Sequence, residues 1–185
     1  MFLASIETLR EQYKQARDLQ RIPIKISKKK EIYLSPGGQN VLIKRIIDDF
    51  CSMFTPGADL LYLGDTETKW AHFDKNALTK LGVETPDEHG KMPDVVVHYK
   101  KENWLVLIEA VTSHGPVNVK RKIELENLFE GCKIGLVLVT AFLDRRGMLK
   151  YLNELAWETE VWIADSPTHL IHFNGKRFLG PYKNK

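Results

Sequence analysis

The sequence has few cysteines and no long apolar run. Only two cysteines, Cys51 and Cys132, occur in 185 residues, and they do not have CxxC spacing. This excludes a disulfide-rich scaffold, and we expect two free thiols in a reducing compartment. No apolar stretch approaches the ~20 residues that a membrane-spanning helix needs, and nothing near Met1 resembles a signal peptide. We therefore predict a cytoplasmic protein without a membrane partner.

A strong excess of one charge sign is also missing. Lysine and arginine number 27 against 24 aspartates and glutamates, which gives a formal net charge of +3. This balance is compatible with a polyanionic partner, but many ordinary proteins have the same one. The length and a hydrophobic content of 43% are sufficient for one domain with a sizeable core.

The first part of the chain predicts a helix and a connector. Apolar residues at helical spacing indicate an amphipathic helix over residues 4–20. Pro23 and the basic run 28–30 then indicate an exposed connector. We therefore predict residues 1–34 as an N-terminal helix and basic connector, and residues 35–185 as the main domain.

The remaining elements alternate between helices and strands. Ser35 as N-cap and Pro36 as first helical residue predict a second helix, with an apolar stripe that runs to Phe54. Strands are predicted over residues 60–63, 95–99, 104–111, 134–142 and 160–164, and helices over 117–130 and 145–156. This order predicts a mixed α/β fold in which helices flank a central β-sheet.

Two acidic residues occupy corresponding positions in a predicted hairpin. The apolar runs 95–99 and 104–111 are joined by four polar residues, which indicates two antiparallel strands. If Tyr99 pairs with Trp104, the same register brings Asp94 opposite Glu109. Their side chains then lie on one face, with Cβ atoms about 5 Å apart.

Two carboxylates placed opposite each other repel and need a compensating charge. A divalent cation is one solution, and Mg²⁺ prefers one or two carboxylates together with water and phosphate oxygens. An exposed Asp94 and an ion-paired Glu109 at strand ends would explain the same pattern without a metal. A register shift of one residue would also separate the pair.

The residues after Glu109 favour a site that binds phosphate. Residues 110–116 lead into a predicted helix whose start carries Lys120, Arg121 and Lys122. Backbone N–H groups at a helix N-terminus bind phosphate, and nearby cations can hold a DNA backbone. A helix with a solvated basic face is the alternative.

These residues resemble the PD-(D/E)xK nuclease signature, in which Pro-Asp is followed by a hydrophobic strand that ends in an acidic residue. More specifically, residues 35–181 resemble the C-terminal catalytic domain of the BsuBI/PstI family of type II restriction endonucleases. The resembling blocks are residues 62–66 with Lys69, 93–96, 108–117, 120–121, 139–142, 157–164 and 171–175.

The resemblance implies a restriction-endonuclease-like fold and Mg²⁺-dependent hydrolysis of double-stranded DNA at a short palindrome, by a homodimer in a bacterial or archaeal cytoplasm. The family's named members cut CTGCAG, and a cognate DNA methyltransferase protects the host. They also carry a longer N-terminal region than this chain. The expected metal ligands are Asp94, Glu109 and the Ala110 carbonyl, and the expected DNA contacts are Ser113, His114 and the basic residues 120–122.

One position departs from the signature, because Val111 stands where its lysine is expected. Another cation must then stabilise the charge that develops on the phosphate. Lys69 is the preferred catalytic substitute, and Lys122 is the alternative. Asp65 is a further candidate metal ligand, although an aspartate after a glycine can equally form a turn.

Two other functions stay open. The fold also serves DNA repair and recombination nucleases that recognise structure instead of sequence. The absence of lysine at Val111 is compatible with a non-catalytic DNA-binding module.

Overall fold

The structure, a computed structural model, describes residues 11, 16–27, 30–84 and 92–173. The strands are β1 (Ile22–Ser27), β2 (Lys30–Leu34), β3 (Asp59–Asp65), β4 (Lys69–Phe73), β5 (Val95–Tyr99), β6 (Trp104–Val111), β7 (Gly135–Phe142), β8 (Thr159–Ile163) and β9 (Leu170–Phe173). The helices are α1 (Gly38–Arg45), which continues as a π-helix (Ile46–Cys51) and a last turn (Ser52–Phe54), α2 (Lys75–Lys80), α3 (Val119–Leu128) and α4 (Arg145–Leu149).

Seven of the strands form one mixed sheet in the order β4-β3-β5-β6-β7-β8-β9. β6, β7 and β8 are parallel neighbours, and the other neighbouring pairs are antiparallel. Parallel neighbours need a long crossover, and α3 lies on the crossover between β6 and β7. The predicted mixed α/β fold is confirmed.

Alternate residues of the central strands pack on opposite faces of the sheet. Val95 and Ile108 belong to a core that includes α1 and the β1–β2 hairpin. Val96 and Leu107 belong to a second core that includes Leu125 of α3. This strict alternation in β5 and β6 follows from the two-residue period of a strand. The centre of the sheet is therefore covered on both faces.

The hairpin formed by β5 and β6 has the predicted bounds and register. Tyr99 pairs with Trp104, and the ladder continues to Val95 opposite Ile108. The strands predicted at 60–63, 134–142 and 160–164 are also present as β3, β7 and β8. Both cysteines are free, and burial raises the pKa of Cys51 to about 12. Among the described residues, no helix is long and apolar enough to cross a membrane.

The predicted basic connector was wrong for the described residues before Ser35. β1 and β2 pair in an antiparallel hairpin, and Ile24 and Leu34 are fully buried against α1. The alternating isoleucines of β1 indicate a strand, whereas Pro23 led to the connector prediction; a two-stranded ribbon tolerates proline because one edge of each strand is unpaired. The domain boundary at residues 34 and 35 stays a prediction.

Other boundaries also differ from the prediction. α1 begins at Gly38 with Gly37 as N-cap, because the Ser35 backbone N–H and hydroxyl both donate to Asp65 instead of capping a helix. The helix predicted over 145–156 ends at Leu149 and continues as turns. Of the helix predicted over 4–20, residues 16–18 are helical, and most of the rest lies outside the described residues.

Candidate active site

Asp94 and Glu109 lie at one end of the β5–β6 hairpin. Asp94 immediately precedes β5, and Glu109 directly follows Ile108, the last residue of β6 that pairs with β5. Both residues line an open cleft of about 840 Å³. The predicted pairing of the two carboxylates is therefore supported by the register of the strands that carry them.

Asp94 is held in place by the backbone of both neighbouring strands. The Ala110 N–H donates to Asp94 Oδ2 at 2.8 Å, and the Gly64 N–H donates to the Asp94 carbonyl at 2.7 Å. A Cβ on Gly64 would lie 3.3 Å from that carbonyl oxygen, so only glycine permits this approach without displacement. β3 and β6 thus fix the position of the carboxylate from two sides.

Glu109 is bound by Arg121 of α3. The Arg121 Nε and Nη2 atoms donate to Glu109 Oε1 at 2.8 and 2.6 Å. The Arg121 side chain is only 17% exposed, and the Glu109 side chain is only 14% exposed. Burial raises the pKa of Glu109 to about 7; the Arg121 charge opposes this rise, and the Asp94 charge adds to it. Burial also raises the pKa of Asp94, against the bonds from Ala110 and Gln39 and the charge of Arg121.

Arg121 reaches the site because α3 is anchored at its start. The Asn118 side chain caps the helix by accepting from the Arg121 N–H at 2.8 Å. Before it, the Val117 N–H donates to the Thr140 hydroxyl of β7 at 3.1 Å. Leu125, one helical turn after Arg121, is fully buried in the core beneath α3. Arg121 therefore lies on the side of the helix that faces the sheet.

Gln39 is a site residue that the sequence analysis did not identify. Its Nε2 atom donates to Asp94 Oδ2 at 3.1 Å and to the Ala110 carbonyl at 2.7 Å, and its Oε1 accepts from the Thr112 hydroxyl at 2.6 Å. A polar residue in the first turn of a helix is a weak signal, and nothing in the sequence indicates which strand it contacts.

Lys69 lines the same cleft as the carboxylates. It begins β4 with φ of +67°, a left-handed conformation that is uncommon for lysine. The Tyr62 hydroxyl donates to the Lys69 carbonyl at 3.2 Å, and the Lys69 ammonium lies 5.1 Å from the centre of the Trp70 ring. Burial, followed by the charges of Asp94 and Glu109, raises the pKa of Tyr62 to about 12, so the Tyr62 phenol stays neutral beside them.

Lys122 contacts a different part of the molecule. Its ammonium donates to the Trp157 carbonyl and to Glu158, both at 3.1 Å, and among the described residues it does not line the cleft. These contacts favour Lys69 over Lys122 as the lysine near the site, and they leave both catalytic roles as predictions.

Asp65 lines the cleft, but both of its oxygens accept several hydrogen bonds. The donors are the Ser35 N–H and hydroxyl, the Asn40 amide, the Glu67 N–H, and the Thr68 N–H and hydroxyl. Burial raises the pKa of Asp65, but the bonds from Ser35 and Thr68 outweigh it and hold that pKa below its ordinary value. This arrangement favours the turn-forming alternative over a metal ligand.

The predicted DNA contacts Ser113, His114 and Lys120 also line the cleft. The Ser113 hydroxyl lies 3.3 Å from His114 Nδ1, and both residues are exposed. Lys120 is 87% exposed and lies 3.8 Å from Glu124. Their positions in the cleft are compatible with phosphate contacts near the carboxylates.

The oxygen ligands in the cleft fit a magnesium ion that keeps part of its water shell. Among the described residues, no group of three or more His, Cys, Asp or Glu side chains could hold a metal. Two carboxylates and the Ala110 carbonyl are nevertheless a suitable set, because Mg²⁺ is usually bound by one or two carboxylates with water and substrate phosphates. The raised pKa values of both carboxyls indicate that a cation would relieve a buried like-charge pair.

The mixed seven-stranded sheet with flanking helices defines a restriction-endonuclease-like fold. The solved structure of SdaI restriction endonuclease superposes on 96% of this chain with a TM-score of 0.85 and 45% identity, and the match covers 55% of that chain. The chain belongs to the family of the BsuBI/PstI restriction endonuclease domain, which matches residues 22–176. The resemblance inferred from the sequence is therefore confirmed.

Two curated relatives are similar over nearly the whole of this chain. The type II restriction enzyme BsuBI of Bacillus subtilis is 53% identical over 182 residues, which cover 98% of this chain and 57% of the relative. The type II restriction enzyme AplI of Arthrospira platensis is 35% identical over 185 residues, covering 96% and 56%. The chain thus spans little more than half the length of the curated relatives that it matches.

Proposed function

We propose that this chain is the catalytic domain of a type II restriction endonuclease, which hydrolyses phosphodiester bonds of double-stranded DNA with Mg²⁺. The observation that carries the proposal is the convergence of Asp94 and Glu109 in one open cleft, with Arg121 bonded to Glu109 at 2.6 and 2.8 Å. A paired carboxylate site next to fixed cations suits the hydrolysis of a phosphate diester.

The relatives support the finer parts of the proposal. Both curated relatives are named type II restriction enzymes. We therefore propose a short palindromic target similar to CTGCAG, a homodimer that matches the twofold symmetry of such a target, and a bacterial or archaeal cytoplasmic location. A cognate DNA methyltransferase is the functional partner that this activity requires in a cell.

Asp94, Glu109 and the Ala110 carbonyl are the residues that would hold Mg²⁺. When bound, the ion polarises the scissile phosphate and lowers the pKa of a coordinated water. Arg121 supplies the fixed positive charge that the signature lysine would supply at Val111.

The other cleft residues would act on the phosphates of the DNA. Lys69 lines the cleft with Asp94 and Glu109 and would help to stabilise the charge that develops on the scissile phosphate. Ser113, His114 and Lys120 line the cleft on the side of α3 and offer donors to flanking phosphates. These contacts would position the strand, whereas base recognition lies elsewhere.

Plasmid digestion tests this proposal. Wild-type protein, Asp94→Asn and Glu109→Gln are incubated with supercoiled plasmid in Mg²⁺, and binding of a linear duplex is measured in Ca²⁺. We expect discrete fragments from the wild type and, from each variant, a loss of cleavage of at least about a thousandfold while DNA binding persists. Glu124→Gln, which removes a neighbouring negative charge from Arg121, is the control and is expected to cut.

Three outcomes would contradict the proposal. Unchanged cutting by Asp94→Asn or Glu109→Gln would eliminate the assigned site. Preferential cutting of flaps or junctions over intact plasmid would favour a structure-specific repair nuclease. Duplex binding without cleavage in both Mg²⁺ and Mn²⁺ would favour the non-catalytic module.

A further inference from the structure

Gln39 makes contacts that a metal ion would otherwise make. Its Nε2 atom donates at once to Asp94 Oδ2 at 3.1 Å and to the Ala110 carbonyl at 2.7 Å. Asp94 and the Ala110 carbonyl are two of the three proposed ligands of Mg²⁺. The amide N–H₂ group therefore supplies to these oxygens the positive partial charge that a cation supplies when it is bound.

The orientation of the Gln39 amide is determined by its neighbours. A carboxylate oxygen and a carbonyl oxygen can only accept, so the nitrogen must face Asp94 and Ala110. The opposite end, Oε1, accepts from the Thr112 hydroxyl at 2.6 Å. A threonine hydroxyl both donates and accepts, so it can bond either end of the amide. Thr112 is thus the one contact of Gln39 that survives a reversal of the amide.

We propose that Gln39 is a two-position residue of the cation site. Without a cation, its Nε2 donates to Asp94 and to the Ala110 carbonyl. With a cation, the amide turns so that Oε1 faces the ion and Nε2 donates to Thr112. The inference rests on the proposed function, because it requires the cation at Asp94. A residue that only ties α1 to the sheet would instead keep one orientation and contribute equally with and without metal.

The two positions of the Gln39 amide require different chemistry: one requires a hydrogen-bond donor and the other requires an oxygen that faces the cation. Substitutions can remove one of these without the other. Gln39→Glu can accept but cannot donate, so it adds a negative charge beside Asp94 and another anionic oxygen for a cation. Gln39→Met has a side chain of similar length, but methionine is neither a strong hydrogen-bond donor nor a strong acceptor. Thr112→Val removes the hydroxyl that bonds the amide in both positions, and Thr112→Ser restores it as the matched control.

The experiment measures Mn²⁺ binding by calorimetry in the absence of DNA, together with thermal unfolding in EDTA and in Mn²⁺. We expect Gln39→Met to bind Mn²⁺ on the order of tenfold more weakly than the wild type. Thr112→Val loses a hydrogen bond that is made in both positions of the amide, so it should unfold at a lower temperature in EDTA and in Mn²⁺ alike, and Thr112→Ser should unfold like the wild type. Gln39→Glu is expected to bind on the order of tenfold more tightly, because ligand charge increases affinity. The same variant is expected to unfold at a lower temperature in EDTA and to gain a larger upward shift from Mn²⁺.

The outcomes separate this inference from the proposed function. If Gln39→Met binds Mn²⁺ as tightly as the wild type or more tightly, Gln39 only packs against the site or blocks it, and the inference is wrong. Asp94→Asn must abolish binding for the cation site itself to stand. If Asp94→Asn loses Mn²⁺ binding but the Gln39 variants bind Mn²⁺ like the wild type, only the inference about Gln39 is wrong. If the wild type itself binds no Mn²⁺, both this inference and the proposed cation site are wrong. If Gln39→Glu does not fold in EDTA, Gln39→Met still decides.

Discussion

Replacing Glu109 with glutamine should change how the free energy of unfolding depends on pH. Glu109 is only 14% exposed, and burial is the main reason that its pKa rises from 4.5 to about 7. Glutamine has almost the same shape and no charge. Glu109→Gln therefore removes one ionisable group while the surrounding core stays in place.

The sign of the effect follows from proton binding. Between pH 4.5 and about 7, the folded protein holds a proton on Glu109 that the unfolded chain releases. Stability of the wild type therefore falls as pH rises through this window, and the ionised carboxylate stays unfavourable above it. The pKa difference corresponds to about 3 kcal/mol as an upper limit, because one unit is about 1.4 kcal/mol and partial exposure reduces it.

Urea unfolding in EDTA at several pH values measures this difference. We expect the stability of Glu109→Gln relative to the wild type to rise by about 2–3 kcal/mol between pH 4.5 and 8. The effect of Arg121 is already part of this pKa, because its charge favours only the ionised form of Glu109. Glu124→Gln, whose carboxylate is 43% exposed, is the control and should change stability by less than ~1 kcal/mol. A flat difference curve for Glu109→Gln would refute the reasoning.

Three further predictions concern the surroundings of the carboxylates. Gly64→Ala brings a Cβ to 3.3 Å from the Asp94 carbonyl oxygen, so cleavage should fall about tenfold or more while urea unfolding changes by only about 1 kcal/mol; an unchanged rate would show that Asp94 tolerates displacement. Asp65→Asn turns an acceptor into a donor among several donors, and should lower the unfolding free energy by about 2–4 kcal/mol; wild-type stability would contradict its structural role. Lys69→Ala should reduce kcat by about 10²–10³, whereas Lys122→Ala, bonded away from the cleft, should reduce it by less than about fivefold; the reverse ranking would assign catalysis to Lys122.

The part of the site that could be predicted is the part that is local in sequence. The β5–β6 hairpin has four connecting residues, and this loop length sets the register in which Tyr99 pairs with Trp104. Asp94 and Glu109 follow directly from that register. The β1–β2 hairpin carried a similar two-residue pattern, but Pro23 received more weight than the alternating isoleucines.

The contacts that complete the site come from distant segments. Gln39 is 55 residues from Asp94 and 71 from Ala110, and its position depends on how α1 packs across the sheet. Local pattern carries no information about such a contact. Arg121 was predicted as a DNA contact because it stands in a basic run. Helical phase was the available signal, since Arg121 shares a face with the buried Leu125 and Phe129.

The two distant residues bond the polar atoms of the site from two helices that pack on opposite faces of the sheet. α1 contributes to the core that contains Ala110, and α3 contributes to the core that contains Leu107. Arg121 of α3 therefore compensates Glu109, and Gln39 of α1 compensates Asp94 and the Ala110 carbonyl. A full charge and a neutral amide differ in one respect: the arginine can only donate, whereas the amide can also accept. Only the α1 side can reverse its polarity toward a cation, so Gln39 variants should alter metal affinity in both directions. Arg121 variants should mainly alter the charge offered to DNA, which a weaker salt dependence of duplex binding would detect.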